Sequence, residues 1–391
     1  MKPIDQVSIR QQNLLRLWEA LLHRDAATRQ ELAEQTGLSL MSVTNLIDQL
    51  DQHHALRIVP TTRMADAARR TVGRKADRIS VNTDHSLWLV LDLTDVHFRC
   101  WALRLDLSIR HAEPAYAYDE RLAYAENLTT FLRQTRRHLE DALGAQGWLG
   151  IAVAVPGPYN VTQDTVHNKR IPALNALRIK ETLRQAFGAC EYYVDEDVKL
   201  AIRAYLPHAV QAQVDVLYYL YIGEGVGGAA TYHGHVVRGL NAVAGDAGQL
   251  LRAGGESFES TVSLRAFAAR LGLCGTATLD EDALLARMHA HALAAPEAYR
   301  AALDEVATAV GETLHDVLWM FDPEQIIIDC RYALPLQQAF LAHVEAALRA
   351  RVGTALPRIP PLVPAQYEMR SMLYGAVQAL SEEWLHRMAA V

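Results

Sequence analysis

Leu32, Ala33 and Thr36 recur at helical spacing, Gly37 interrupts them, and Leu38, Val43, Leu46, Ile47 and Leu50 resume the pattern on a second helix. Two short amphipathic helices joined by a glycine turn have the spacing of a helix-turn-helix. Ala33 is small where the helices touch, Gly37 accepts the positive φ of the turn, and Val43 and Leu46 face inward. An earlier helix, Ser8 to His23, sets Leu14, Leu17, Trp18 and Leu21 on one supporting face. After Leu50, residues 55–59 and 78–81 read as two short strands around a loop. A winged helix-turn-helix over residues 1–82 is therefore expected. The outward positions of its second helix are Ser39, Met41, Ser42, Thr44 and Asn45, mostly short polar side chains able to reach base edges or phosphates in a major groove. An ordinary helical hairpin shares the interior pattern, so DNA binding stands as an expectation.

Thr83-Asp84-His85 reads as a hinge, and from Ser86 the texture becomes α/β. Leu87 to Leu93 is an apolar strand, His97 to Leu105 alternates as its hairpin partner, and Leu122 to Leu143 is helical. Leu149 to Val155 is a buried strand ending at Pro156-Gly157-Pro158. Tyr192-Tyr193-Val194 is another, ending at Asp195-Glu196-Asp197 before a helix from Val198 to Leu206. Strands that end in carboxylates or glycine turns are where open α/β sheets hold ligands. Val216 to Ile222 starts the pattern again, with a glycine loop at Gly223 to Gly228, a strand from Ala229 to Tyr232, and a turn at His233-Gly234. Two similar βββαβα halves fit this order. The last third is helical over 261–271, 280–294, 296–320, 334–350 and 371–388. Ala301, Leu303, Val306, Val310, Leu314, Val317 and Leu318 form a stripe that serves either the core or a dimer surface. Pro357 to Pro364 reads as a rigid connector before the last strand and helix.

Length and charge sharpen this reading. A chain of 391 residues suggests two or three domains, and 50% hydrophobic residues supply a large core. No apolar run is long enough to span a bilayer, and Met1 to Gln6 lacks a signal peptide's apolar stretch, so a cytoplasmic protein without membrane partners is expected. The net charge of −7 is unevenly spread. Residues 1–80 hold 12 Lys+Arg against 9 Asp+Glu, while the remainder is acidic. Basic residues concentrate in the loop, where Arg57, Arg63, Arg69, Arg70, Arg74, Lys75 and Arg78 face only Asp66 and Asp77. Beside a recognition helix such a loop suits phosphate contact, with Gly73 letting Arg74 approach a minor groove. Cys100, Cys190, Cys274 and Cys330 are widely spaced, which suggests neither a disulfide scaffold nor a thiolate metal site.

Four segments carry a family resemblance: Ala152 to Pro158, Gly223 to Gly228, Arg238 to Gln249, and Phe321 to Ile328. In this order, behind a winged helix, they resemble the ROK family of bacterial sugar kinases and sugar-responsive repressors, and its repressor branch in particular. The resemblance covers nearly the whole chain. It implies a two-lobed actin-like, sugar-kinase-like (ribonuclease H-like) domain over residues 83–391. One lobe would comprise about 86–195 plus 373–391, the other about 196–372.

The departures from the family pattern bear on function. Kinases of the family have Asp-x-Gly-x-Thr in the first hairpin, whose glycine meets ATP phosphates. Here the turn is Asp92-Leu93-Thr94-Asp95-Val96, and Asp329-Cys330-Arg331 stands where a glycine-rich adenosine motif is expected. ATP binding is therefore not expected, although Gly223 to Gly228 fits phosphate binding and simple backbone geometry equally. Asp197 matches the family's catalytic aspartate, and Glu196 stands where asparagine is usual. A helix N-cap at Asp195 or Asp197 would explain those carboxylates without a ligand. Glu259 matches a sugar-contacting glutamate and Asp246 replaces another. Gln249 takes the position of a zinc-binding histidine, and the cysteine finger after it is lost, so no metal and no cofactor are expected.

Together these features lead us to expect a DNA-binding regulator, with no catalytic residues of its own, whose degenerate kinase domain senses a sugar through Glu196, Asp197, Asp246, Gln249 and Glu259. Its partners would be an operator, the sugar, and copies of itself in a homodimer or dimer of dimers. If Arg69, Arg70, Arg74 and Lys75 neutralise phosphates, log affinity for DNA falls with log salt by about 0.9 per phosphate contacted. Arg74→Ala should lessen that slope, and Asn45→Ala should relax base preference. Salt-independent binding, or full binding after deletion of residues 1–80, would defeat the assignment.

Overall fold

The computed structural model describes residues 6–22, 24–60, 76–93, 97–119, 121–144, 147–169, 171–252, 254–273, 281–367 and 370–390. Three helices, α1 (Gln6–Leu22), α2 (Arg29–Thr36) and α3 (Leu40–Gln52), precede an antiparallel pair, β1 (Leu56–Val59) and β2 (Arg78–Val81). Thr28 starts α2: its hydroxyl accepts from the Glu31 amide, and the Glu31 carboxylate accepts from the Thr28 amide. That reciprocal cap satisfies two otherwise orphaned amides. Gly37, at φ +70°, ends the helix in the left-handed region, and Ser39 caps α3. Leu32, Val43, Leu46, Ile47 and Leu50 are buried with Leu14, Leu17, Trp18 and Leu21, as the periodicity requires.

A six-stranded sheet follows. It is built from β3 (Ser86–Leu93), β4 (His97–Arg104), β5 (Ile109–Ala112), β6 (Tyr116–Ala117), β7 (Gly147–Val155) and β10 (Glu191–Glu196). Helix α4 (Tyr124–Leu143), the small hairpin β8 (Tyr159–Asn160) and β9 (Thr165–Val166), and α5 (Ile179–Phe187) intervene. The order is β10-β7-β3-β4-β5, with β6 on β4; β3, β7 and β10 are parallel, β4 and β5 antiparallel. Helices α6 (Asp197–Arg203) and α7 (Leu206–Gln211) lead to a second sheet of β11 (Val216–Ile222), β12 (Val226–Tyr232), β13 (His235–Val236), β14 (Gln325–Cys330) and β15 (Leu362–Pro364). Its order, β13-β12-β11-β14-β15, repeats that of the first, so the two expected halves are present. Between β13 and β14 lie α8 (Phe258–Val262), α9 (Leu264–Arg270), α10 (Glu281–Ala294) and α11 (Pro296–Phe321); α12 (Gln337–Val352) precedes β15, and α13 (Ser371–Ala390) follows it.

Three expectations are corrected, and one open alternative is decided. The helix expected over 261–271 is two, because the Leu264 amide turns away to donate to the Gly223 carbonyl. The last strand lies inside the proline-rich connector, where Leu362 to Pro364 run parallel to β14. Gly227 and Gly228 belong to β12, so the glycine loop is only Gly223 to Gly225. Of the apolar stripe on α11, Ala301 is exposed, while Leu303, Val306, Val310, Leu314, Val317 and Leu318 are buried in the core of the second half, so the stripe serves the core.

Alternate residues of β3 serve different layers. Leu87, Leu89 and Leu91 pack toward α4 and α5, whereas Trp88 and Val90 join α13 and the N-terminal helices in one continuous apolar cluster. Within it Trp384 of α13 meets Trp18 at 5.6 Å and Trp88 at 6.0 Å between ring centroids, both edge-on. Helices α6 and α13 cross where Gly375 lies against Leu200. A Cβ on Gly375 would stand 1.7 Å from the Leu200 carbonyl oxygen, a backbone atom that no side-chain rotation can clear. Gly375→Ala should therefore lower the urea midpoint, at a cost of roughly 1–3 kcal/mol or more. Gly147→Ala, with nothing within 4 Å of the added carbon, should leave it nearly unchanged; equal effects would refute the close-crossing account.

Candidate functional site

The helix-turn-helix presents a surface of mixed character. Met41 is 72% exposed, and Asn45 is exposed beside it. Ser39 and Ser42 are partly committed to the fold: the Ser42 amide donates to Ser39 Oγ at 3.1 Å, and the two hydroxyls meet at 2.8 Å. Thr44 Oγ1 donates to the Leu40 carbonyl at 2.9 Å. Of the basic cluster, Arg57 pairs with Asp84, and Arg78 donates to the Ala26 carbonyl at 2.8 Å. Arg69, Arg70, Arg74 and Lys75 lie outside the described residues, as do Arg63, Asp66 and Cys274.

The second site is a cleft of about 1350 Å³ between the two sheets, at the carboxyl ends of β3, β7, β10, β11 and β14. Glu196, Asp197, Asp246, Gln249 and Glu259 all line it. Asp195, one residue earlier, points away: its fully buried carboxylate is gripped by both terminal nitrogens of Arg238. The N-cap of α6 is Glu196, without a side-chain cap bond, so neither Asp195 nor Asp197 is the helix cap considered above. Asp197 stands in the first turn, its Oδ1 accepting from the Val198 amide at 2.7 Å.

Glu196 turns inward onto Lys199, which is 0% exposed. Burial raises the Glu196 carboxyl to about 7 against the pull of the Lys199 ammonium, and the Asp197 charge adds to the rise. Asp246 accepts from the Gly248 amide at 3.0 Å, and its pKa is likewise raised by burial. Glu259 accepts from the Val226 amide at 3.1 Å. Opposite them Gly157 takes φ +103°, with the His167 carbonyl 3.3 Å from where a Cβ would sit. The Asn175 side chain holds that lip by accepting from the Asn168 amide at 2.7 Å and donating to the Asn168 carbonyl at 3.1 Å.

A profile of the ROK family matches residues 102–383. The chain belongs to the ROK family. No curated protein matches the sequence closely. The fold is similar to that of a ROK family transcriptional regulator described as a homolog of the E. coli MLC protein, with a TM-score of 0.73, 19% identity, and 97% of this chain and 98% of that one covered. It is also similar to a ROK protein from Streptococcus pneumoniae in complex with sucrose (TM-score 0.59, 18% identity, 77% and 98% covered). A third similar structure is a ROK glucokinase from Streptomyces griseus in complex with glucose and AMPPNP (0.61, 16%, 75% and 99%). The N-terminal helices thus precede a two-lobed ROK domain of the sugar-kinase fold.

In this ROK chain the other half of the cleft is lined by side chains paired with one another. Arg331 donates to Glu281 and to Asp282, each at 2.8 Å; Tyr221 donates to Glu281 at 3.2 Å; and Arg99, from the first sheet, reaches Asp282 at 3.1 Å. Tyr219 donates to Asp329 at 2.7 Å. Two glycines of this region stand against tyrosine side chains. A Cβ on Gly223 would stand 2.1 Å from the Tyr221 hydroxyl, and one on Gly228 would stand 2.2 Å from that of Tyr218 and 2.4 Å from the Gly245 carbonyl. These two glycines make room for tyrosines. Glu224, at the tip, is paired with Arg265 at 2.6 Å. Asp92 and Leu93 are described, while Thr94, Asp95 and Val96 are not.

The resident zinc implied by the family does not fit these residues. Gln249 is exposed on the cleft wall, and the segment after it closes as a hairpin through a bridge between Leu251 and Ser257. Among the described residues no group of three His, Cys, Asp or Glu could hold a metal ion. Nor is any described helix long and apolar enough to cross a membrane.

Sequence reasoning missed Lys199, Arg238 and the Tyr221–Glu281–Arg331 network. Lys199 had a local signal, lying three residues after Glu196 on one face of α6. Arg238, Tyr221 and Glu281 find their partners only through the tertiary fold.

Burial raises Asp92 to about 7, with the Asp197 charge second, and raises Asp329 to about 6. A carboxyl whose folded pKa lies above its unfolded value stabilises fully below the unfolded value, and that contribution is lost as pH rises through the folded one. Asp92→Asn removes the group, so its Tm should gain on the wild type from about pH 4 to about pH 7 and level off above. A pH-independent difference would contradict the burial account.

Proposed function

We propose that this ROK protein is a DNA-binding transcriptional regulator, a repressor of carbohydrate genes, whose kinase-like domain senses a sugar without phosphorylating it. The observation that carries the reading is the Tyr221–Glu281–Arg331–Asp282 network of paired charges, which walls the part of the cleft away from Asp197, Asp246 and Glu259. A nucleotide entering there would have to displace paired charges and meet the carboxylates of Asp92, Glu224 and Asp329. The sugar side keeps Asp197, Asp246, Gln249 and Glu259 on its wall, with Glu196 held back by Lys199. Free sugars suit this wall better than sugar phosphates, because a phosphate would face carboxylates.

Residues 1–82 form the operator-binding domain in this reading, and residues 83–391 the sensor. Ser39, Met41, Ser42, Thr44 and Asn45 face the bases, and Arg69, Arg70, Arg74 and Lys75 face phosphates. The protein acts in the cytoplasm as a homodimer or dimer of dimers. Helix α13 supports a mechanism. Ser371, Met372 and Leu373 line the cleft, while Trp384 packs against Trp18 and the Met388 carbonyl accepts from Gln49 of α3 at 2.7 Å. Closure of the lobes on a sugar would tilt this helix of 20 residues, about 30 Å long, and with it the recognition helix.

One observation favours the alternative, a sugar kinase with an added DNA-binding domain: Asp197 keeps the position of the family's catalytic aspartate. The two readings separate on one substitution. Asp197→Asn should weaken sugar binding about ten- to a hundredfold, the worth of a charge-assisted hydrogen bond, and leave operator binding intact. Titration calorimetry with free hexoses, pentoses and amino sugars measures the first, and gel shift the second. Sugar-dependent phosphate transfer from ATP by the wild type, lost in Asp197→Asn, would overturn the regulator in favour of the kinase. A wild type that binds no sugar would favour a regulator that has lost sensing.

A further inference from the structure

Glu259 reaches the cleft from the first turn of α8, and Asp246, Gln249 and Ser257 from the connection between β13 and α8. Its internal bonds give it a shape: the Arg252 amide donates to the Glu256 carbonyl at 2.8 Å, Phe258 to Leu250 at 2.8 Å, and Glu259 to Gly248 at 3.0 Å. Shape alone does not set where a hairpin stands on the protein. Buried Phe258 roots one end, and Tyr218 holds the other by donating to the Gly245 carbonyl at 2.7 Å. Between them the outer turn is tied to the core by Arg252. Its guanidinium donates to Glu312 at 2.8 Å and to the Ala309 carbonyl at 3.2 Å, both on α11. Because α11 is packed through its length in the core of the second half, it is a fixed reference for the turn.

We propose that Arg252, through Glu312, is a positioning residue that sets the sugar-facing wall of the cleft. The claim about sugar rests on the function proposed above; the claim about position does not. A planar guanidinium with two donors on neighbouring turns of one helix fixes direction as well as distance, which a lysine at this site would not. Arg252 does not touch the ligand. It acts by keeping Asp246 and Gln249, on a loop that lacks regular secondary structure, at a constant spacing from Glu259 in α8.

The test uses the full chain, with Arg252→Ala, Arg252→Lys and the charge-reversed double variant Arg252→Glu, Glu312→Arg. Hydrogen exchange read over residues 246–259 should speed about tenfold in Arg252→Ala, partly in Arg252→Lys, and return toward wild type in the double variant, with α11 and the first sheet unchanged. Exchange like wild type in Arg252→Ala, or a rise spread over the whole chain, would overturn the proposal. Affinity for a sugar that the wild type binds should fall about tenfold in Arg252→Ala and recover in the double variant, with operator binding the same throughout. Undiminished sugar affinity in Arg252→Ala would overturn it as well. A wild type that binds no sugar, combined with the expected exchange pattern, would refute the sensing function and leave the strut standing.

Discussion

The crossing of α6 and α13 is the constraint on which the rest of the structure depends. Both helices lie between the two sheets, and Gly375 lets them meet at backbone distance. That closeness sets the end of α6 against the start of α13, where the Tyr205 and Ser371 hydroxyls meet at 2.9 Å. Arg203 ties the same pair further along by donating to Glu382 at 2.8 Å. Whatever moves one lobe against the other has to pass through this pair, since α6 leaves the first sheet and α13 returns to it.

Much of the architecture was legible because it is periodic. The helix-turn-helix announces itself through Leu32, Gly37, Val43 and Ile47, each of which reports its own local conformation and burial. The repeated sheet order was visible from two runs of apolar strands ending in carboxylates or glycines. The errors fell where a distant atom overrides local preference. Ser263 ends a helix that its sequence would continue, because Leu264 finds the Gly223 carbonyl. Pro364 sits in a strand because β15 is an edge, where a missing amide costs little.

The site divides in the same way. Asp197, Asp246, Gln249 and Glu259 could be nominated from the residues because the family resemblance fixes their places along the chain. What surrounds them could not. The inward turn of Glu196 depends on a buried ammonium, and a buried pair of this kind contributes more to a defined arrangement than to net stability. The glycines that fitted a phosphate cradle and plain backbone geometry equally have a tertiary reason, since Tyr221 stands over Gly223 and Tyr218 over Gly228. Glycine marks a close approach and does not say what approaches.

The tryptophan cluster has a consequence in time. Chains generally fold from the N-terminus as they are synthesised, one unit after another. Here the core under the recognition helix takes Trp18 from the beginning of the chain, Trp88 from the first sheet and Trp384 from the last described helix. The first three helices therefore leave the ribosome with one apolar face bare, and nothing in the next several hundred residues supplies Trp384. Trp384 must be made before that face is covered, so a chain stopped short of it carries a head with part of its core missing.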